Sequence, residues 1–262
     1  MQERHTDSQR YFNEQAFSTA KYIIPFIESE KTVNNQQKVL EIGCGEAGNL
    51  KPFLDLGCEC VGVDFSQPKI EKGIEFYSTH ANKDKLRLIS EDIYKTKEFD
   101  KQFDIIILRD VIEHIHDQEK FMGLMKSLLA PNGIVFFAFP PWQNPFGGHQ
   151  QICENKLLSV LPYYHLLPAV LYRRFLKLFG ESDAKITSLL EIKETGISIE
   201  RFERVFRNQG YVERKKTLFF INPNYEVKFR LKPRKLFGVF AAIPYFRNFV
   251  CTCGYYVLSL KS

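Results

Sequence analysis

The residues of this chain whose types and spacing could do chemistry are a cluster of glycines, a series of acids and a few histidines. Residues 39–50, V-L-E-I-G-C-G-E-A-G-N-L, run an apolar segment into Gly43-x-Gly45-x-x-Gly48. Gly43 and Gly45 remove side chains that would block a tight bend and a close-lying ligand, and Gly48 lets the following helix pack close to the strand. A helix starting there points unpaired N–H groups at the ligand. Dinucleotide-binding turns have the same spacing, so the turn by itself predicts only a nucleotide-like ligand. The acids narrow the choice. Glu41, read as outward-facing just before the first glycine, suits a ligand with a positively charged amino-acid end, whereas a pyrophosphate beside a carboxylate is repelled. Asp64 closes a second apolar run at 60–63, where an acid can accept both hydroxyls of a ribose. Phe65 follows it, placed to pack on an adenine face or in the core. A third run, Leu86–Ser90, ends in Glu91 and Asp92, where an acceptor for an adenine amino group would lie.

Taken together, E-x-G-C-G at 41–45, G-V-D-x-S at 62–66, the Glu91-Asp92 pair and D-V-x-E-H at 110–114 resemble the class I S-adenosylmethionine-dependent methyltransferases, in the broad group acting on small molecules. The resemblance covers residues 36–142, and the remainder in outline. It implies S-adenosyl-L-methionine as cofactor, held by Glu41, Gly43, Cys44, Gly45, Asp64, Phe65, Asp92, Ile93, Arg109 and Asp110. It also implies an α/β fold with a doubly wound, mostly parallel seven-stranded sheet, order 3-2-1-4-5-7-6, and an acceptor-lid insertion. The expected organisation is a single methyltransferase domain over 1–262. Within it lie an N-terminal helical lid at 1–35, a cofactor-binding core at 36–142, an acceptor lid at 143–196 and a C-terminal sheet portion at 197–262. That last portion carries a basic and apolar insertion at 222–247.

The elements that must position these residues can be read from their patterns. Residues 8–30 carry aromatic and aliphatic positions at mixed helical spacing, with Pro25 marking a kink or break. Tyr11, Phe12, Phe17 and Tyr22 on it either face the ligand or pack on the sheet. Gly57 ends a short helix that tolerates Pro52 in its first turn, and Ser66 is placed to cap the next helix. Residues 103–108 form a continuous apolar run, as in the centre of a parallel sheet covered on both faces, and deliver Arg109 and Asp110 to its carboxyl end. A helix at 117–129 and a strand at 134–139 follow, and the alternation specifies right-handed crossovers. A helix at 198–209 stopped by Gly210, a sixth strand at 216–221 and an antiparallel seventh at 249–260 complete the domain.

At 262 residues with 26% charged and 44% hydrophobic positions, the chain reads as an ordinary globular protein without repeats. No apolar leader core opens it and no run reaches the ~18 apolar residues of a membrane span, so it is expected to be intracellular and cytoplasmic. Two Cys-x-Cys pairs, 58 with 60 and 251 with 253, invite a zinc reading. In the expected strand order they lie about 19 Å apart at ~4.8 Å per spacing. Zinc–sulfur bonds are ~2.3 Å, so one metal cannot join them. The Glu113-His114-x-His116-Asp117 run matches no standard zinc signature, and no metal is expected.

Methyl transfer from a sulfonium is an in-line displacement, and positioning alone can be worth ~7–11 kcal/mol. An oxygen or nitrogen acceptor can also need its proton removed, which suits a histidine. His149, in the segment Gly147-Gly148-His149-Gln150 that reads as mobile, is the first choice; His165 and then His114 follow. The aromatic insertion points to a small apolar or amphipathic acceptor: a lipid, quinone or glycolipid precursor. A nucleic-acid acceptor is disfavoured because residues 108–111 read L-R-D-V where amino-nucleobase enzymes carry their N/D-P-P-aromatic quartet. The basic run at 228–235 and the apolar segment after it allow peripheral contact with an anionic membrane at its inner face. The alternatives are a non-catalytic cofactor-binding regulator or partner subunit, or an RNA methyltransferase.

Overall fold

The computed structural model describes residues 7–96 and 98–261. Its centre is an eight-stranded sheet of order β3-β2-β1-β4-β5-β8-β6-β7. The strands are β1 (Lys38–Ile42), β2 (Glu59–Asp64), β3 (Leu86–Ser90), β4 (Phe103–Arg109), β5 (Leu129–Phe139), β6 (Tyr211–Ile221), β7 (Arg234–Lys235) and β8 (Cys253–Leu260). β1 to β5 pair in parallel, while β8 pairs antiparallel with both β5 and β6. The seven-stranded order expected from the sequence is therefore present with one addition. β7 is a two-residue edge strand from the second insertion, too short to announce itself by alternation. β6 begins five residues earlier than expected, because E-R-K-K in its first half lies on partly exposed sheet and hides the apolar pattern.

Parallel strands buried on both faces give two apolar layers. On one side Leu40, Ile106, Leu108, Val135 and Phe137 pack against α5 (Gln118–Leu128) and α9 (Ile199–Asn208). On the other, Val39, Ile105, Ile107 and Phe136 meet α1 (Ser8–Ser18), α2 (Ile24–Glu28), α3 (Lys51–Asp55) and α4 (Gln67–Tyr77). The helices start where the chemistry dictates. Asp7, Asp117 and Ser198 each accept a backbone N–H in the first turn of α1, α5 and α9. Ser66 stands at the cap of α4 without a side-chain bond, and Asp64 Oδ1 takes the Ser66 N–H instead at 2.9 Å. Pro25 does not break the N-terminal helix. It sits at the start of α2, and the irregularity is a π-helical turn at Thr19–Ile23.

The first insertion folds on itself. α6 (Lys156–Val160), α7 (Ala169–Leu178) and α8 (Asp183–Thr195) enclose a small core of Leu158, Tyr164, Tyr172, Leu176, Ile186 and Leu189. α10 (Asn224–Phe229), α11 (Gly238–Ala241) and α12 (Arg247–Val250) make up the second insertion and its return to β8. β2 and β8 lie four strand spacings apart, so the Cys58-Cys60 and Cys251-Cys253 pairs stay separate, and all six cysteines are free and buried. No helix among the described residues is long and apolar enough to cross a membrane.

Candidate functional site

The carboxyl ends of β1, β2 and β4 bring the glycine turn, Asp64, Arg109 and Asp110 into one region. Gly43 and Gly45 adopt φ of +71° and +55°, conformations that a side chain would strain. Asp64 braces the turn, since its Oδ2 accepts the Gly45 N–H at 2.8 Å while Oδ1 holds Ser66. Each oxygen keeps a second acceptor position, so the ribose role is still open to it. Cys44 is buried, and a Cβ at Gly62 would come within 2.8 Å of its sulfur. Gly48 answers to a different neighbour from the one expected: a Cβ there would lie 2.5 Å from the Phe12 carbonyl oxygen of α1. The N-terminal helix thus roofs the turn, while Phe12 itself packs on Phe76 and Tyr77 and Phe17 is exposed.

Glu41 does not face outward. It is 1% exposed and its Oε1 accepts from Asn49 Nδ2 at 2.6 Å, leaving Oε2 buried without a hydrogen-bond partner. Burial is the main reason its carboxyl is pushed up to about 8, with Asn49 and Arg109 opposing. The same Asn49 accepts from Arg109 Nη1 at 2.7 Å and from Thr19 Oγ1 at 2.9 Å. A buried acid and a buried guanidinium are therefore bridged by one amide. Asn49 escaped the sequence reading, although it follows the third glycine directly. Tyr11, at the same place, is pushed up to about 12 by burial and then by the neighbouring Asp110 charge. Asp110 is exposed and held at φ +56°.

The adenine side is sparser. Phe65 is 75% exposed, so the core alternative for it is overturned and its ring is open to a flat ligand. Asp92 turns one oxygen to the Tyr94 N–H, and Ile93 packs in the apolar core.

The histidines separate clearly. His165 is fully buried, bonded to Gln150 and to the Trp142 carbonyl through its two ring nitrogens, and burial pushes it down to about 4. It locks the insertion and is no candidate base. The segment around His149 is not slack either. A Cβ at Gly147 would lie 2.1 Å from the Trp142 oxygen, and one at Gly148 would lie 2.3 Å from the His165 Cβ. His149 itself takes φ +55° and sets its ring edge-on to His114, centroids 4.9 Å apart. Glu113 joins them, and the ligand atoms of the three lie within 4.8 Å of one another. Both Glu113 oxygens are buried without hydrogen-bond partners, and burial followed by the Asp110 charge raises its carboxyl well above the usual range. The cluster has the donor set for one divalent cation. Sequence could not pair Glu113 with His149, because they meet only when the loop after β5 folds back over the loop after β4.

The family described as a methyltransferase domain matches residues 12–165, which include all of these groups except Tyr11. The chain belongs to that methyltransferase family. It is 37% identical over 114 residues to the ubiquinone biosynthesis O-methyltransferase of Pelagibacter ubique, covering 42% of this chain and 44% of that one. The corresponding protein of Rhodopseudomonas palustris strain HaA2 is 35% identical over 103 residues, covering 38% of this chain and 39% of its own. The chain thus spans less than half the length of these curated relatives in the match. Among solved structures, a putative sarcosine dimethylglycine methyltransferase from Galdieria sulphuraria superposes with a TM-score of 0.59 at 14% identity, over 92% of this chain and 84% of that chain. Geranyl diphosphate C-methyltransferase from Streptomyces coelicolor gives 0.59 at 13%, over 91% and 78%. At such identities the likeness is one of fold, and the methyltransferase fold is what this chain has.

Proposed function

We propose that this methyltransferase-family chain binds S-adenosyl-L-methionine and transfers its methyl group to a small apolar or amphipathic acceptor. The observation that carries the reading is the Glu41–Asn49–Arg109 bridge beside the glycine turn. A carboxyl with a vacant oxygen and a guanidinium, set together out of water, match the ammonium and carboxylate of an amino-acid end; the guanidinium alone would suit a phosphate, but the carboxyl beside it would not. The cofactor supplies an electrophilic methyl; the chain's own part is to hold, orient and exclude water.

His149 is the group proposed to take the acceptor's proton, with Glu113 and His114 against it. A cation held by the same three groups would acidify the acceptor hydroxyl instead. A chelator leaves turnover unchanged under the first reading; loss restored by added magnesium or manganese assigns the second. The aromatic first insertion, lying after β5, serves as the acceptor lid, and the quinone-pathway names of the curated relatives support an apolar phenolic or quinone-like acceptor. The setting proposed is cytoplasmic, with peripheral contact at the inner face of an anionic membrane.

The test is to incubate the protein with methyl-labelled S-adenosylmethionine and a whole-cell extract, then partition the products. Label in the organic phase is expected. Label confined to water-soluble products or macromolecules would overturn the acceptor class, and absence of any transfer despite cofactor binding would favour a regulatory role.

A further inference from the structure

We infer that the two insertions together form a docking face for an anionic lipid bilayer, which deepens the proposed function by naming the surface through which an apolar acceptor reaches the site. Residues 227–249 contain no acid, and Arg230, Lys232, Arg234 and Lys235 among them are exposed. The apolar side chains that follow are also turned to solvent: Phe237, Val239, Ile243, Tyr245 and Phe246 are exposed, Tyr245 by 70%. The first insertion repeats this chemistry. No acid occurs at 155–180, and α7 buries Tyr172 and Leu176 in the small core while leaving Val170, Leu171 and Leu178 exposed. At helical spacing Arg173, Arg174 and Lys177 flank that exposed apolar stripe. The two insertions touch, since Tyr163 Oη donates to the Phe249 carbonyl at 3.1 Å.

Contiguous apolar exposure of this kind marks an interaction surface. The charge on it selects the partner. A basic rim around aromatic and aliphatic side chains is the make-up of a surface that lies in the headgroup plane of anionic lipids, apolar groups below and cations at the phosphates. A nucleic acid would satisfy the cations and leave Val239, Ile243, Leu171 and Leu178 in water. The acceptor then enters from the bilayer itself, without crossing water.

The experiment is co-sedimentation of the full chain with vesicles of phosphatidylcholine, with and without phosphatidylglycerol, over a range of salt. Binding is expected only with the anionic lipid and is expected to weaken as salt screens the basic residues. Two double variants at exposed positions, Val239→Asp with Tyr245→Asp and Leu171→Asp with Leu178→Asp, should each weaken vesicle binding at least about tenfold. Equal binding to both vesicles, or to neither, overturns the inference; an unaffected Leu171/Leu178 variant overturns the two-insertion face. Calorimetric titration with S-adenosylhomocysteine on the same samples reports the proposed function separately. Loss of cofactor binding in the unmodified chain would sink that function while leaving the vesicle result to stand or fall by itself.

Discussion

Glu41 shows what a single buried group can impose. In the folded chain its carboxyl keeps a proton up to about pH 8, whereas an unfolded glutamate releases it near pH ~4.3. The folded state therefore binds more protons across that window, and this group's contribution to stability is present at low pH and lost as pH rises through about 8. Glu41→Gln is expected to flatten that part of the melting temperature's pH dependence; an unchanged slope would show that Glu41 is ionised throughout. His149→Ala is expected to lower turnover by at least ~10²-fold with cofactor affinity unchanged, by steady-state kinetics and calorimetry side by side. Residue identity told much of this in advance: the glycines, Asp64 and Arg109 all fall at strand ends that pattern alone locates. What pattern could not tell was depth. Whether an acid before a glycine turn is wet or dry depends on the helix laid over it, and Asn49's bridge depends on a partner 60 residues away.

At the scale of elements, the decisive contact is α1 on the turn it covers. Because a Cβ at Gly48 would lie 2.5 Å from a backbone oxygen rather than from a yielding side chain, Gly48→Ala must push the helix away. A destabilisation of ~1–3 kcal/mol is expected from chemical unfolding, together with weaker cofactor binding. Unchanged stability would mean that the helix is not seated there. Helices and strands were legible where the apolar pattern was strong, as in the continuous run of β4 and the helical spacing of α9. They were illegible where local chemistry is silent, as in the glycines at 147 and 148. Those read as slack in sequence but are glycine because the Trp142 backbone and the His165 ring occupy the space a side chain would need.

The whole molecule rests on two apolar layers either side of one sheet, and Phe202 is a keystone of one. Its ring meets Phe137, Phe139, Phe206 and Tyr256 with centroids 4.6–5.5 Å apart. Phe202→Ala is expected to cost ~3–5 kcal/mol in urea unfolding with little loss of cofactor affinity at low temperature, since the layer lies across the sheet from the roofed turn. Less than ~1 kcal/mol would mean the layer closes over the gap. The doubly wound order was legible because each unit repeats one grammar. The insertions were legible only as composition, because short pieces between prolines carry too little periodicity to say which faces they expose.

The strand order has a consequence for how the chain is made. β8 is synthesised after β6 yet sits between β5 and β6, hydrogen-bonded to both. While β8 is still inside the ribosome, β5 and β6 each lack the neighbour that covers one edge. Nascent chains are thus expected to wait, partly folded and liable to pair with neighbours, until the final strand slides into place. The strand that closes the gap in the sheet is also the last of its strands to be synthesised.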